Sequence, residues 1–180
     1  MKRQTLKRKL KHFLRLEPVE CGKRPQTAYV SIPNEYLFPE VIRYIDMGKT
    51  VTLPLKGNSM RPFLCHQRDK ALLCRCAEPS VGNPVLAEVT PNKYVLHRIV
   101  AINGDEVTLR GDGNMNVEHC RLSDVKALAY GFLRKGRATP DLIDSSKWRV
   151  YSWLWMRLLP LRRPLLHLHH FFFRSLKVLD

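Results

Sequence analysis

Long apolar runs are missing from this 180-residue chain: no uncharged stretch approaches the ~20 residues that span a bilayer. The basic N-terminus has no apolar core behind it, because Lys11, His12 and Arg15 interrupt Leu10 to Leu16. A secretory signal is therefore not expected. Cysteine is scarce and irregular. Cys21, Cys65, Cys74, Cys76 and Cys120 make an odd count, Cys74 and Cys76 are one residue too close for a zinc knuckle, and no second pair follows. This excludes a secreted disulfide framework and predicts reduced thiols in a reducing compartment. The expected location is cytoplasmic, at most peripheral on the inner face of a membrane. No internal repeat and no metal or cofactor motif is found, so neither metal nor cofactor is expected.

Acidic residues are absent from positions 1–16, which hold seven Lys/Arg, and positions 147–180 hold seven Lys/Arg against Asp180 alone. Between them lie 17 basic and 15 acidic residues, so the formal charge of +15 sits almost wholly in two tails on a near-neutral centre. That distribution argues against a domain built around a nucleic-acid groove. It favours tails that touch an anionic surface.

Three segments follow from composition. Residues 1–33 form a basic segment and linker: Leu6, Leu10, Phe13 and Leu14 suit a short basic amphipathic helix, then Pro18, Gly22 and Pro25 break the pattern. Residues 34–146 are predicted to be a β domain with a leading helix over Glu40–Met47, started by Pro39 and stopped by Gly48. Period-two apolar spacing then predicts a strand at Val51–Leu55, further strands separated by turn residues are expected at Lys70–Cys76, Val85–Val89 and Val125–Leu133, and a hairpin runs from Tyr94 to Arg110, turning at Asn103-Gly104-Asp105. Residues 147–180 form an aromatic-rich basic tail. Tyr151, Leu154, Trp155, Leu158 and Leu161 share one broad helical face, ended by Pro160 and Pro164. The fold class expected is mainly β, a coiled and mostly antiparallel sheet, with short N-terminal helices and a C-terminal amphipathic helix.

The chemistry-bearing residues lie in the centre. Gly57-Asn58-Ser59-Met60-Arg61-Pro62 follows an apolar strand, and a glycine there lets the backbone turn sharply enough to lift the Ser59 hydroxyl clear of the sheet. The same residues are also ordinary turn chemistry. His97 stands in a strand with Val95 and Ile99 on its face and Leu96, Arg98 and Val100 on the other. It is either a satisfied core histidine or a base kept neutral by burial. Asp112, between Gly111 and Gly113, is placed to return a carboxylate to the histidine strand; Glu118 is the weaker candidate for that role.

Gly-x-Ser-Met-x-Pro, Asp69, His97-Arg98-Ile99-Val100 and Gly111-Asp112-Gly113-Asn114, in this order, resemble the motifs of the type I signal peptidase superfamily, which includes the self-cleaving repressors. The resemblance covers residues 51–118. It implies a coiled antiparallel β fold and a serine endopeptidase cleaving a peptide or protein, with Ser59 as nucleophile, His97 as general base and Asp112 as supporting acid. The His-Arg pair resembles the endoplasmic-reticulum and archaeal branch; the bacterial branch uses a lysine. Three departures stand out. Residues 1–50 are not expected to supply the transmembrane helix that precedes the serine in the family's membrane enzymes. Gly57 occupies the place of the hydroxyl that helps bind the oxyanion in the bacterial branch, leaving the Ser59 amide with Asn58 and Met60. The family's Gly-Asp pairs read Arg68-Asp69 and Gly82-Asn83 here. The chain resembles the short signal-peptidase-like proteins of some bacterial genomes. The alternative is a weak or inactive binding module on this fold, anchored by its basic tails. A repressor-like nucleic-acid regulator is not expected, since only one convincing helix precedes Val51. For the tail, anionic lipid contact is expected through Trp148, Trp153, Trp155, Leu158 and the arginines. The competing possibility is packing of its apolar face on the β domain or a partner.

Overall fold

Eight antiparallel strands build one sheet in the computed structural model, which describes residues 32–158. They are β1 (Val51–Pro54), β2 (Lys70–Cys74), β3 (Pro84–Thr90), β4 (Lys93–Asn103), β5 (Glu106–Arg110), β6 (Glu118–Arg121), β7 (Val125–Leu133) and β8 (Asp141–Leu142). Their spatial order is β1-β2-β7-β3-β4-β5-β6, with β8 added to β7. Helix α1 (Asn34–Asp46) precedes the sheet, a 3₁₀ turn (Leu122–Asp124) leads into β7, and α2 (Ser146–Arg157) follows. The expected helix at residues 2–16 and the tail beyond residue 158 lie outside the described residues.

The antiparallel β centre matches the period-two reading, and β7 has the predicted bounds. The hairpin also forms as predicted: Asn103 pairs with Glu106, and Gly104 supplies φ +59° in the two-residue turn. Register shifts at Leu72/Leu73, Leu86/Ala87, Glu88/Thr90 and Ile99/Ala101 insert bulges, which bend and coil a sheet. Two strands have no counterpart in the sequence reading. β6 has four residues with one buried side chain, and β8 has only two residues, too few to show an alternation.

Helix α1 begins at Asn34, six residues before the predicted start, and carries Pro39 inside it. Pro39 is on the exposed side and leaves the carbonyl of the exposed Glu35 without its helical partner, while Leu37, Phe38, Val41 and Ile45 pack into the core. Docking of that stripe outweighs the proline. Gly48, at φ +76°, ends the helix as expected. Its amide reaches the Ile45 carbonyl at 2.9 Å and that of Lys49 reaches Tyr44 at 3.0 Å, a Schellman closure.

Both faces of the central strands are covered. On β3, Leu86 joins a core with Ile45, Leu64, Leu73, Phe132 and Trp148, whereas Val85 and Ala87 join a second core with Ile99, Val107 and Leu109. Strand β4 therefore runs through the middle of the protein, and His97, Arg98 and Ile99 are all buried there. Among the described residues no helix is long and apolar enough to cross a membrane.

Candidate active site

The Ser59 loop is built to hold its shape. Leaving β1, the chain turns at Gly57 (φ +95°), a conformation that side chains rarely adopt. The Gly57 amide donates to His66 Nδ1 at 2.7 Å. Met60 and Leu64 anchor the loop in the first core, with the Leu64 amide on the Met60 carbonyl at 3.0 Å. Asp69 closes it: its backbone carbonyl accepts from Leu55 at 3.0 Å, and its fully buried carboxylate takes the Cys65 amide at 2.9 Å and the Arg68 guanidinium at 2.7 and 2.8 Å. Burial alone would raise the Asp69 pKa. Arg68 and the amides of Cys65 and Lys135 outweigh it and hold the carboxyl below its ordinary value. With neighbours on both sides pinned, Ser59 stays partly exposed.

His97 is only 4% exposed and lies on the Val95/Ile99 side of β4. Its Nδ1 is 2.5 Å from Glu118 Oε2, a close charge–dipole approach without hydrogen-bond alignment, and neither atom has a hydrogen-bond partner among the described residues. Glu118 of β6 pairs with Leu109 of β5, which pairs with Ile99, so its side chain shares a sheet face with His97, and β5 stops at Arg110, opposite Arg98 and one position short of His97. Burial is the largest influence on the imidazole and lowers its pKa. Glu118 and, through space, Asp112 oppose that, and Lys93 adds to it; the net shift is downward. At neutral pH the ring is uncharged, with Nδ1 facing a carboxylate.

The other ring nitrogen faces the serine loop. A Cβ placed on Gly111 would lie 3.0 Å from His97 Nε2 and 2.5 Å from the Ser59 carbonyl oxygen. Those two groups therefore converge on the spot that Gly111 leaves empty. Gly113 is equally close-packed: its amide donates to the Ser59 carbonyl at 2.6 Å, and a Cβ there would come within 2.8 Å of the Asn58 carbonyl. Neither glycine has a positive φ, so their role is close approach of two loops. Ser59 Oγ makes no hydrogen bond to His97 among the described residues.

Asp112 is not where the sequence reading placed it. It is 1% exposed and pairs with Arg98, itself 1% exposed, through Nε–Oδ1 at 2.9 Å and Nη2–Oδ2 at 2.7 Å. A buried guanidinium in the adjacent strand position claims the carboxylate in a two-pronged pair that a neutral imidazole cannot match. Tyr151 OH donates to Asp112 Oδ2 at 2.9 Å, Trp155 Nε1 donates to its backbone carbonyl at 3.0 Å, and Arg98 also bonds Ser152 Oγ and the Gly82 carbonyl. Asp112 is thus the hub that ties α2 to the loop behind Ser59, and Glu118 takes the place beside the histidine.

Ser59, Met60, Leu64, Tyr94, Leu96 and His97 line one cleft of about 150 Å³, with Lys56 and Cys65 also at its wall. Apolar side chains of Leu55, Met60, Leu64 and Leu96 share its lining with Lys56, Ser59 and His97. The amides of Asn58, Ser59 and Met60 donate to no backbone acceptor among the described residues, although the Asn58 carbonyl accepts from Arg61 at 3.1 Å. Asn58 is exposed and the Met60 side chain is 5% exposed, so Met60 contributes a cleft wall and an amide. Among the described residues no group of three His, Cys, Asp or Glu side chains is placed to hold a metal ion. No protein-family model matches this chain, and no curated protein does either.

Helix α2 departs from the expected tail. Its inward residues are Trp148, Tyr151, Ser152 and Trp155, whereas Leu154, expected on that face, is 45% exposed. Trp148 stacks on Phe132 (5.0 Å) and Tyr151 on Phe63 (4.7 Å), so Trp148 and Trp155 face the domain and cannot meet lipid. The sequence reading missed the roles of Arg98, Tyr151 and Ser152. Their one signal was a run of aromatics interrupted by a serine at helical spacing.

Proposed function

We propose that this chain is a serine endopeptidase of the signal-peptidase type, acting through Ser59, His97 and Glu118. One observation carries the reading: the buried, neutral His97 presents Nδ1 to Glu118 at 2.5 Å and turns Nε2 toward the Ser59 loop across Gly111. That is the polarity a serine nucleophile requires. The ordered motifs of residues 51–118 and the coiled antiparallel sheet agree with it.

The reaction follows from these positions. The scissile carbonyl lies over Ser59 with an apolar substrate side chain in the cleft floored by Met60, Leu64 and Leu96. His97 Nε2 removes the Oγ proton as Oγ bonds to the carbonyl carbon, and Glu118 stabilises the imidazolium that forms. The amides of Ser59 and Met60 hold the oxyanion. Imidazolium then protonates the departing amine as the C–N bond breaks, leaving an acyl ester on Ser59. Water, activated by the same ring, hydrolyses the ester. The oxyanion hole lacks the side-chain donor that the bacterial branch uses, and one such donor is worth ~10²–10³ in rate. Slow turnover is expected.

A second reading, a binding module without catalysis, is favoured by Gly57 in that donor's place and by the lack of a Ser59–His97 hydrogen bond among the described residues. Incubating the protein with a peptide library and mapping new termini separates the two. Cleavage after apolar residues, lost in Ser59→Ala and His97→Ala proteins that keep the wild-type circular dichroism, supports the peptidase. Equal cleavage by either variant refutes it.

A further inference from the structure

Helix α2 has a second face that the domain does not use. Val150 is 64% exposed, Trp153 55% and Leu154 45%, and these lie three and four residues apart on one side, opposite the buried Trp148, Ser152 and Trp155. Arg157, one turn on, sits over the Trp153 ring at 4.3 Å, and Arg149 flanks the strip, whereas Lys147 is taken by Asp141 at 2.9 Å. The twelve residues of α2 contain no acid. An exposed indole between aliphatic side chains and a fence of cations has an apolar part to bury and a positive part to leave at a charged surface.

We infer that this outer face of α2 seats the domain on an anionic lipid surface. Charge decides the occupant. Residues 147–180 carry seven Lys/Arg against one acid, so the strip belongs to a strongly cationic segment that two copies of the chain would repel from each other. Three apolar side chains also fall well short of the roughly 20–30 residues a side that a stable protein interface uses, whereas an in-plane helix needs only such a strip. The inner face makes the seat rigid: Tyr151 and Trp155 fix α2 to Asp112, so the domain follows the helix to the surface. This inference is independent of the chemistry at Ser59.

The chain's three tryptophans give a direct readout, because Trp148 and Trp155 are buried and Trp153 alone is exposed. Full-length protein is titrated with phosphatidylcholine vesicles with and without phosphatidylglycerol, following tryptophan emission and co-sedimentation. Binding to the anionic vesicles only is expected, with a blue-shifted emission and quenching by brominated lipid. Trp153→Ala/Leu154→Ala should lose at least about tenfold in affinity, and Arg149→Gln and Arg157→Gln about fivefold each. All four positions are at the surface, and unchanged far-ultraviolet circular dichroism confirms folding. Equal binding to neutral vesicles, no binding, or full binding by the Trp153→Ala/Leu154→Ala protein overturns the inference. So does a dimer in sedimentation equilibrium that this double variant dissolves.

Discussion

At the scale of single residues, the two carboxylates near His97 have different jobs, and substitution separates them. Asp112→Asn leaves the buried Arg98 guanidinium without its counter-charge, so about 3–5 kcal/mol of stability should be lost, read as a lower urea midpoint. The Glu118 side chain is 30% exposed and its Oε2 approaches His97 without a hydrogen bond, so Glu118→Gln should unfold at nearly the wild-type midpoint. It should instead slow acylation by about 10²–10⁴-fold. Activity should also persist below pH 6.5, because burial depresses the His97 pKa and the neutral ring is the working form. Glu118 pulls that pKa upward, so removing its charge should move the acid limb of the pH–rate profile further down. An unmoved limb would mean that Glu118 does not address the ring. Gly111→Ala tests the convergence itself: a methyl 2.5 Å from the Ser59 carbonyl and 3.0 Å from His97 Nε2 must push the loops apart, and activity should vanish. Ser59 and His97 stand out in the sequence because each sits in a short motif, one in the loop after β1 and the other inside β4. Asp112 was misplaced because sequence order shows that a carboxylate returns to the histidine strand, not which of two adjacent basic side chains it meets. Arg98, one residue along and on the opposite face, wins by charge and by its forked geometry.

At the scale of elements, α2 is the part that the sequence presented least clearly. Its aromatics at helical spacing predicted an amphipathic helix, and the helix is there, but an aromatic-rich and basic face reads the same against lipid as against a core. What resolves it is the polar pair Tyr151 and Ser152 on the buried side, meeting Asp112 and Arg98. Tyr151→Phe removes one hydrogen bond to a buried carboxylate and should cost about 1–3 kcal/mol in chemical denaturation. It should also lower the acylation rate, since Asp112 stands beside the glycine that holds the Ser59 carbonyl. A loss of stability with full activity would show that the helix is only a cover. The leading helix was cut short in the sequence reading by Pro39, a residue that normally starts helices. An exposed proline inside a well-docked helix carries no local sign that packing will override it.

At the scale of the whole molecule, the antiparallel mainly-β class was visible in the alternation of Val51, Leu53 and Leu55 and in the Asn103-Gly104-Asp105 turn. The closure of both cores was not. β3 and β4 are buried on two faces and so lose the alternation that marks a half-exposed strand. The partnered carboxylates and the buried imidazole also set the response to acid. Asp69 and Asp141 have pKa values lowered in the folded state by their cationic neighbours against the opposing effect of burial, so their stabilisation is present above pH 3.8 and lost as pH falls through the folded values. His97, lowered by burial, adds a loss beginning at pH 6.5, where the unfolded ring takes up a proton before the folded one does. All three act in the same direction. The Tm should fall steadily from pH 7 to pH 3, and a flat profile would mean that these groups are not held as described. The described thiols are free; burial pushes Cys120 up to about 11 and raises Cys74 and Cys76, so reductant should leave the Tm unchanged.

The central claim is that Ser59 is a nucleophile activated by His97 and oriented by Glu118. The measurement that reaches it most directly is covalent labelling by a serine-directed acylating probe, with the adduct mapped by mass spectrometry. One adduct on Ser59 is predicted, absent in Ser59→Ala and His97→Ala, slowed in Glu118→Gln and retained in Cys65→Ser, whose thiol lines the same cleft. An adduct on any other residue, or labelling of Ser59 at the wild-type rate in the His97→Ala protein, would contradict the account.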